Sequence, residues 1–172
     1  MTKKIFFSVS VLVFMFFATA FAQNAPLVAY VNTAELIDAT PDKQKATEQL
    51  TTLSNNYKEE LKLMQNEYNK KYSDFITYQS SLADNIKLRR MQELTDLENK
   101  MQQFTQLAQK DIEEQEKIML EPIRKKISDA IRAVGIERNF TVIYDLADSG
   151  IAFVNPAAVN ATPLVKARLG IK

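Results

Sequence analysis

Residues 42–134 read DKQKATEQL TTLSNNYKEE LKLMQNEYNK KYSDFITYQS SLADNIKLRR MQELTDLENK MQQFTQLAQK DIEEQEKIML EPIRKKISDA IRAV. These 93 residues contain no glycine and one proline, Pro122. A β-rich or α/β domain needs turn residues about every ten positions. The stretch therefore reads as very long helix. Thr40-Pro41-Asp42 places an N-cap, a proline at the first helical position and an acid in the first turn, which marks a helix start. Leu50, Leu53, Tyr57, Leu61, Met64, Tyr68, Phe75 and Tyr78 recur at three- and four-residue spacing, as in a coiled-coil seam. The only cluster of turn formers is residues 79–85, QSSLADN, which predicts a hairpin tip. A second helix follows over residues 86–134, with Met91, Leu94, Leu97, Met101, Phe104, Ala108, Ile112, Met119, Ile123, Ile127, Ile131 and Val134 as its stripe. Gly135 is expected to end it as a C′ glycine, and Pro122 to kink it. At 1.5 Å per residue the helices are about 57 and 74 Å long. Such a hairpin must project as an arm.

Working outward, the ends of the chain change period. Residues 27–31 (LVAYV), 140–144 (FTVIY) and 151–154 (IAFV) suit short buried strands. Thr33 can cap a short helix that includes Glu35. Thr162-Pro163 opens a last helix, which Gly170 ends. Three short strands make an undersized core, so several chains are expected to pool their strands. The first residues look like a targeting segment: Lys3 and Lys4, an apolar run over residues 5–17, then Ala20-Phe21-Ala22. Cleavage is expected after Ala22. The expected organisation is a signal peptide at 1–22, a β head from 23–41 and 135–172, and the helical arm at 42–134. The fold class is α+β, a long antiparallel helical hairpin on a small β head.

Composition removes most chemistry. The chain has 172 residues and no His, Cys or Trp. Without them there are no disulfides, thiol nucleophiles or imidazole catalysis, and nearly all zinc sites fall away. Its three glycines cannot form a phosphate-cradling loop. No catalytic residue, metal site or cofactor is expected. Asp145 and Asp148 flank the one short acidic loop, and they read as turn caps, because a calcium loop needs more carboxylates. From Gln23 onward the chain has 20 basic and 21 acidic residues, a net charge of −1. Such a chain offers no global electrostatic case for nucleic acid or an anionic membrane.

Three groups of residues stand out. Leu63, Tyr72, Ile76, Leu88 and Leu107 lie off the seam and could hold an unfolded chain weakly, as could Ile118 and Leu120. Lys87, Arg89 and Arg90 make a basic group at the tip. Val28, Tyr30, Val142, Ile143, Ile151 and Phe153 lie in the strands expected to form the shared core.

The order of these pieces resembles the OmpH/Skp family of periplasmic chaperones. The resemblance rests on LVAYVN followed by TAELI, the glycine-free hairpin, FTVIYDLADSGIAFVNP and a closing short helix. It implies a homotrimer in which strands of three chains build a β-barrel head and three arms enclose a cavity. It implies an ATP-independent holdase that keeps unfolded outer-membrane proteins from aggregating. It also implies a weak contact of the tip cations with lipopolysaccharide or the membrane surface. The departure is charge: well-known members are strongly basic, whereas residues 57–121 here carry 10 basic and 13 acidic side chains. A structural coiled-coil adaptor or spacer of the cell envelope is the other function class that the arm fits.

Overall fold

The computed structural model describes residues 27–171. The expected signal peptide lies outside these residues. The elements are β1 (Val28–Val31), α1 (Thr33–Asp38), α2 (Pro41–Tyr78), a 3-10 turn (Gln79–Ser81), α3 (Asp84–Glu137), β2 (Val142–Asp145), β3 (Val159–Asn160) and α4 (Thr162–Leu169). This is the expected α+β arrangement of long helices and a small strand set.

The arm is α2 packed antiparallel on α3. Pro41 starts α2 as its sequence predicts, with Thr40 at the N-cap. The Thr40 hydroxyl does not cap, however; it donates back to the Leu36 and Ile37 carbonyls. On α1 the cap is Asn32 rather than Thr33, its side chain accepting from the Glu35 N–H at 3.1 Å. Most seam residues are half-buried or buried, but Tyr78 and Met91 are exposed beside the tip. Helix α3 has 54 residues, about 81 Å, against 38 for α2. The excess at its base, with Ile123, Ile127, Ala130 and Val134, joins Val31, Leu36 and Val165 in the core of the head. Leu120, expected on the exposed flank, packs against that core.

Pro122 and Gly135 both lie within α3, so the helix does not end at the glycine as expected. The helix continues through Pro122. Proline removes one backbone bond there, and Ile123 next to it is buried in the head core. Gly135 lies inside the helix, and Asn139 takes the left-handed conformation instead, with φ of 53°. The Phe140 N–H bonds the Gly135 carbonyl at 3.0 Å and the Asn139 N–H bonds the Ile136 carbonyl at 3.2 Å. These two bonds are a Schellman motif with asparagine at C′. A Cβ at Gly135 would meet the tip of Ile143 at 3.4 Å, an ordinary contact. Gly135→Ala should therefore stabilise the protein by about 0.5–1 kcal/mol. Asn139→Ala should cost about 1 kcal/mol, because alanine resists the left-handed region. Thermal melts followed by circular dichroism check both signs; a left-handed Gly135 would reverse the first.

The sheet is parallel, in the order β2-β1-β3. Val28 pairs with Val142, Tyr30 with Tyr144, and Ala29 with both Ile143 and Val159. Residues 151–154 form no strand, against expectation. A strand needs a partner as well as an apolar run. Within the chain both edges of β1 are taken, one by β2 and the other by the two-residue β3.

Candidate functional site

The head presents an open sheet face. Ala29 and Val31 are buried against the helices, so the alternate residues Val28 and Tyr30, with Val142 and Tyr144 beside them, face the other way. On that side a groove of about 620 Å³ runs between Val28, Tyr30, Tyr144 and residues 150–155. Phe153 beside it is 78% exposed. Parallel sheets ordinarily have both faces covered; this one has helices on one face and a loop at the margin of the other. Of the six expected interface residues, Val28, Tyr30, Val142, Ile151 and Phe153 lie on or beside the open face. Ile143 turns inward and packs on the chain's own core.

The acidic loop caps its own turns. The Asp145 carboxylate accepts from the Thr33 N–H and the Ala147 N–H, both at 3.0 Å, and from the Thr33 hydroxyl. Burial alone would raise the carboxyl's pKa, but these hydrogen bonds outweigh it and hold Asp145 below the ordinary value. The Asp148 carboxylate accepts from the Gly150 N–H at 3.0 Å. Among the described residues no cluster of carboxylates is arranged to hold a metal ion.

Along the arm, the seam is partly polar. Tyr57 donates to Asp111 at 2.7 Å and meets Phe104 edge-on at 5.7 Å. Tyr68 donates to Glu98 at 2.6 Å and stacks on Tyr72. The hydrogen bond to Asp111 raises the Tyr57 hydroxyl above its ordinary pKa, and Glu98 does the same for Tyr68. These pairs set which residues of the two helices lie level, something that single-helix periodicity cannot give.

That register divides the off-seam residues between two flanks. At about 100° per residue, Tyr72, Ile76 and Leu88 fall on one flank and Leu63, Leu107 and Ile118 on the other. All six are exposed. The flank of Tyr72 also carries a groove of about 250 Å³ between Tyr57, Leu61, Phe104 and Ile112. Between groove and tip this flank presents Gln65, Asn69, Thr95, Gln102 and Thr105, with Lys62 and Glu98 as its charges. The flank of Leu63 is charged, with Glu60, Glu67, Asp74, Lys100 and Glu114, and the cross-helix ion pair Lys71–Glu93 at 3.8 Å. Both the groove and this division were missed by reading each helix alone.

The tip cations are engaged. Lys87 pairs with Asp84 at 3.1 Å, and Arg89 and Arg90 both reach Glu93, at 3.2 and 3.3 Å. Helix α3 thus supplies carboxylates to its own basic group.

The sequence profile of the family described as outer membrane protein (OmpH-like) matches residues 27–169. The chain belongs to the OmpH-like family. Its match spans the head and the whole arm, so the family assignment covers both candidate surfaces. Among solved structures, the OmpH-like chain is similar to a Caulobacter crescentus CB15 protein assigned as an outer membrane chaperone (OmpH-like). The two share 19% identity over 84% of each chain, with a TM-score of 0.72. At that identity the likeness concerns the fold. No curated protein matches the chain significantly. Among the described residues of this OmpH-like chain, no helix is long and apolar enough to cross a membrane.

Proposed function

We propose that this OmpH-like protein is an ATP-independent holdase of the periplasm, exported by a cleaved signal peptide, that binds unfolded outer-membrane proteins on its arms. The observation that carries the reading is a projecting hairpin whose exposed Leu63, Tyr72, Ile76, Leu88 and Leu107 form no single patch. A compact patch suits one folded partner; scattered apolar contacts suit a chain without fixed shape. Each fully buried apolar side chain contributes roughly 1.5–3 kcal/mol. Partial, shifting contacts contribute less, so release needs no nucleotide. The family assignment supports the same role, and the inventory of side chains supports no enzymatic activity.

The working unit is a homotrimer. The open face of a parallel sheet calls for a cover, and Val28, Tyr30, Val142, Ile151 and Phe153 are the residues that copies of the chain would share. Residues 151–154, apolar and without a strand partner in the single chain, would find one on a neighbouring copy. Lipopolysaccharide or membrane-surface contact through Lys87, Arg89 and Arg90 would be weak, since each is already paired with a carboxylate.

The test is aggregation of a denatured outer-membrane protein diluted from urea, followed by light scattering at low salt and at about 0.5 M salt. With a mature net charge of −1, long-range attraction contributes little. Suppression should survive the salt. A steep loss with salt would instead assign the holding to Lys87, Arg89, Arg90 and the other arm cations. The unbroken α3 and its continuous seam also suit a rigid envelope spacer; a spacer would leave aggregation unchanged at either salt concentration.

A further inference from the structure

We infer that one flank of the arm holds the client, the less charged one, and that its occupant is an extended stretch of unfolded polypeptide. This rests on the holdase reading and specifies where it acts. The flank has two apolar stations. One is the groove at Tyr57, Leu61 and Phe104, with Lys58 and Glu113 also in its lining; the other is Tyr72, Ile76 and Leu88 near the tip. They lie about 16 residues apart along α2, or about 24 Å. An extended chain covers that distance with about seven residues.

The surface between the stations fits such a segment. Gln65 donates to Asn69 at 3.1 Å, which leaves the Gln65 carbonyl to accept and the Asn69 amide to donate, and Gln102 adds a further amide; such groups can bond a peptide backbone. An unfolded segment presents backbone N–H and C=O groups along its length and apolar side chains at intervals, and this flank meets both. A folded partner would need one continuous contact of about 1,000 Å² or more, which two separated stations do not make. The opposite flank is a poorer host. Leu63, Leu107 and Ile118 stand there among carboxylates and lysines, and a client lying on them would strip water from charges that it cannot replace.

Two variants separate the flanks: Tyr72→Ser/Ile76→Ser/Leu88→Ser and Leu63→Ser/Leu107→Ser/Ile118→Ser. None of these residues is in the seam core, and circular dichroism checks that the arms remain helical. The probe is a urea-denatured outer-membrane β-barrel protein carrying a fluorophore. The first variant should lose at least tenfold in affinity, the second no more than two- to threefold. Equal losses, or the reverse order, would overturn the assignment while leaving the holdase reading intact. A wild-type protein that fails to bind the probe would overturn both. A change in oligomeric mass confined to the first variant would make a second copy the occupant and overturn the inference. A further readout does not depend on the stability of the variants. The chain has no cysteine, so Asn69→Cys and Glu67→Cys can each carry a single photo-crosslinker. Client should be captured from position 69 and not from 67; capture from 67 alone or from both equally would contradict the inference.

Discussion

Val142→Asp should give folded monomers in place of the proposed trimer. Val142 pairs with Val28 on the open side of the sheet, so in a single chain an aspartate there can reach water. In a shared head each copy would bury one such charge, at several kcal/mol per ion after relaxation. Sedimentation should show loss of the trimer, while far-ultraviolet circular dichroism keeps the helical signal. Ile143→Asp provides the contrast. Ile143 packs on the chain's own core, so its replacement should unfold the head rather than merely separate the copies. A Val142→Asp protein that remains trimeric would remove the open sheet face as the interface, and a wild-type monomer would remove the trimer.

The second large effect is expected from shortening the arm. Tyr68 is level with Glu98 and Lys71 with Glu93, so cutting both helices at that level preserves their register. Replacing residues 68–101 with a short glycine-rich loop should leave the head and its assembly in place, because the core residues Val31, Leu36, Ile123, Ile127, Val134 and Val165 all lie outside the deletion. The truncated protein loses Tyr72, Ile76 and Leu88 and should no longer suppress aggregation. Light scattering reads both outcomes, the mass of the assembly and the turbidity of the client. A truncated chain that is unfolded by circular dichroism would mean that arm and head are one cooperative unit. One that still suppresses aggregation fully would place client binding elsewhere.

Much of the fold was legible in the sequence because long helices announce themselves locally. Thr40-Pro41-Asp42 marked the start of α2, and the heptad-like spacing of Leu50 through Phe75 marked its buried side. What was misread depends on partners that local pattern does not contain. Gly135 has the composition of a helix stop, but its neighbours Ile131 and Val134 pack in the head, and the helix runs on to where Asn139 can turn left-handed. Residues 151–154 have the composition of a strand, but β1 already has two neighbours. The true third strand, Val159–Asn160, is too short to show a period. The candidate site was half legible. Leu63, Tyr72, Ile76, Leu88 and Leu107 could be found off the seam by angle alone. Their division between two flanks needed the level of one helix against the other, which Tyr57, Tyr68 and their carboxylate partners reveal.

The central position of β1 also sets an order of events. Its two neighbours in the sheet lie 114 and 130 residues later in the chain, at Val142 for Val28 and at Val159 for Ala29. Closing such long loops is slow relative to forming local contacts. The hairpin, whose tip joins its helices within a few residues, can zip up from Tyr78 and Asp84 as soon as both sides are free to meet. The head must wait for the last fifteen or so residues of the chain to arrive, since Val159, Asn160 and Val165 complete it. Until then the chain carries a finished arm on an unfinished base. A chain truncated near its end would therefore retain its two long helices yet lack the strand that closes the sheet.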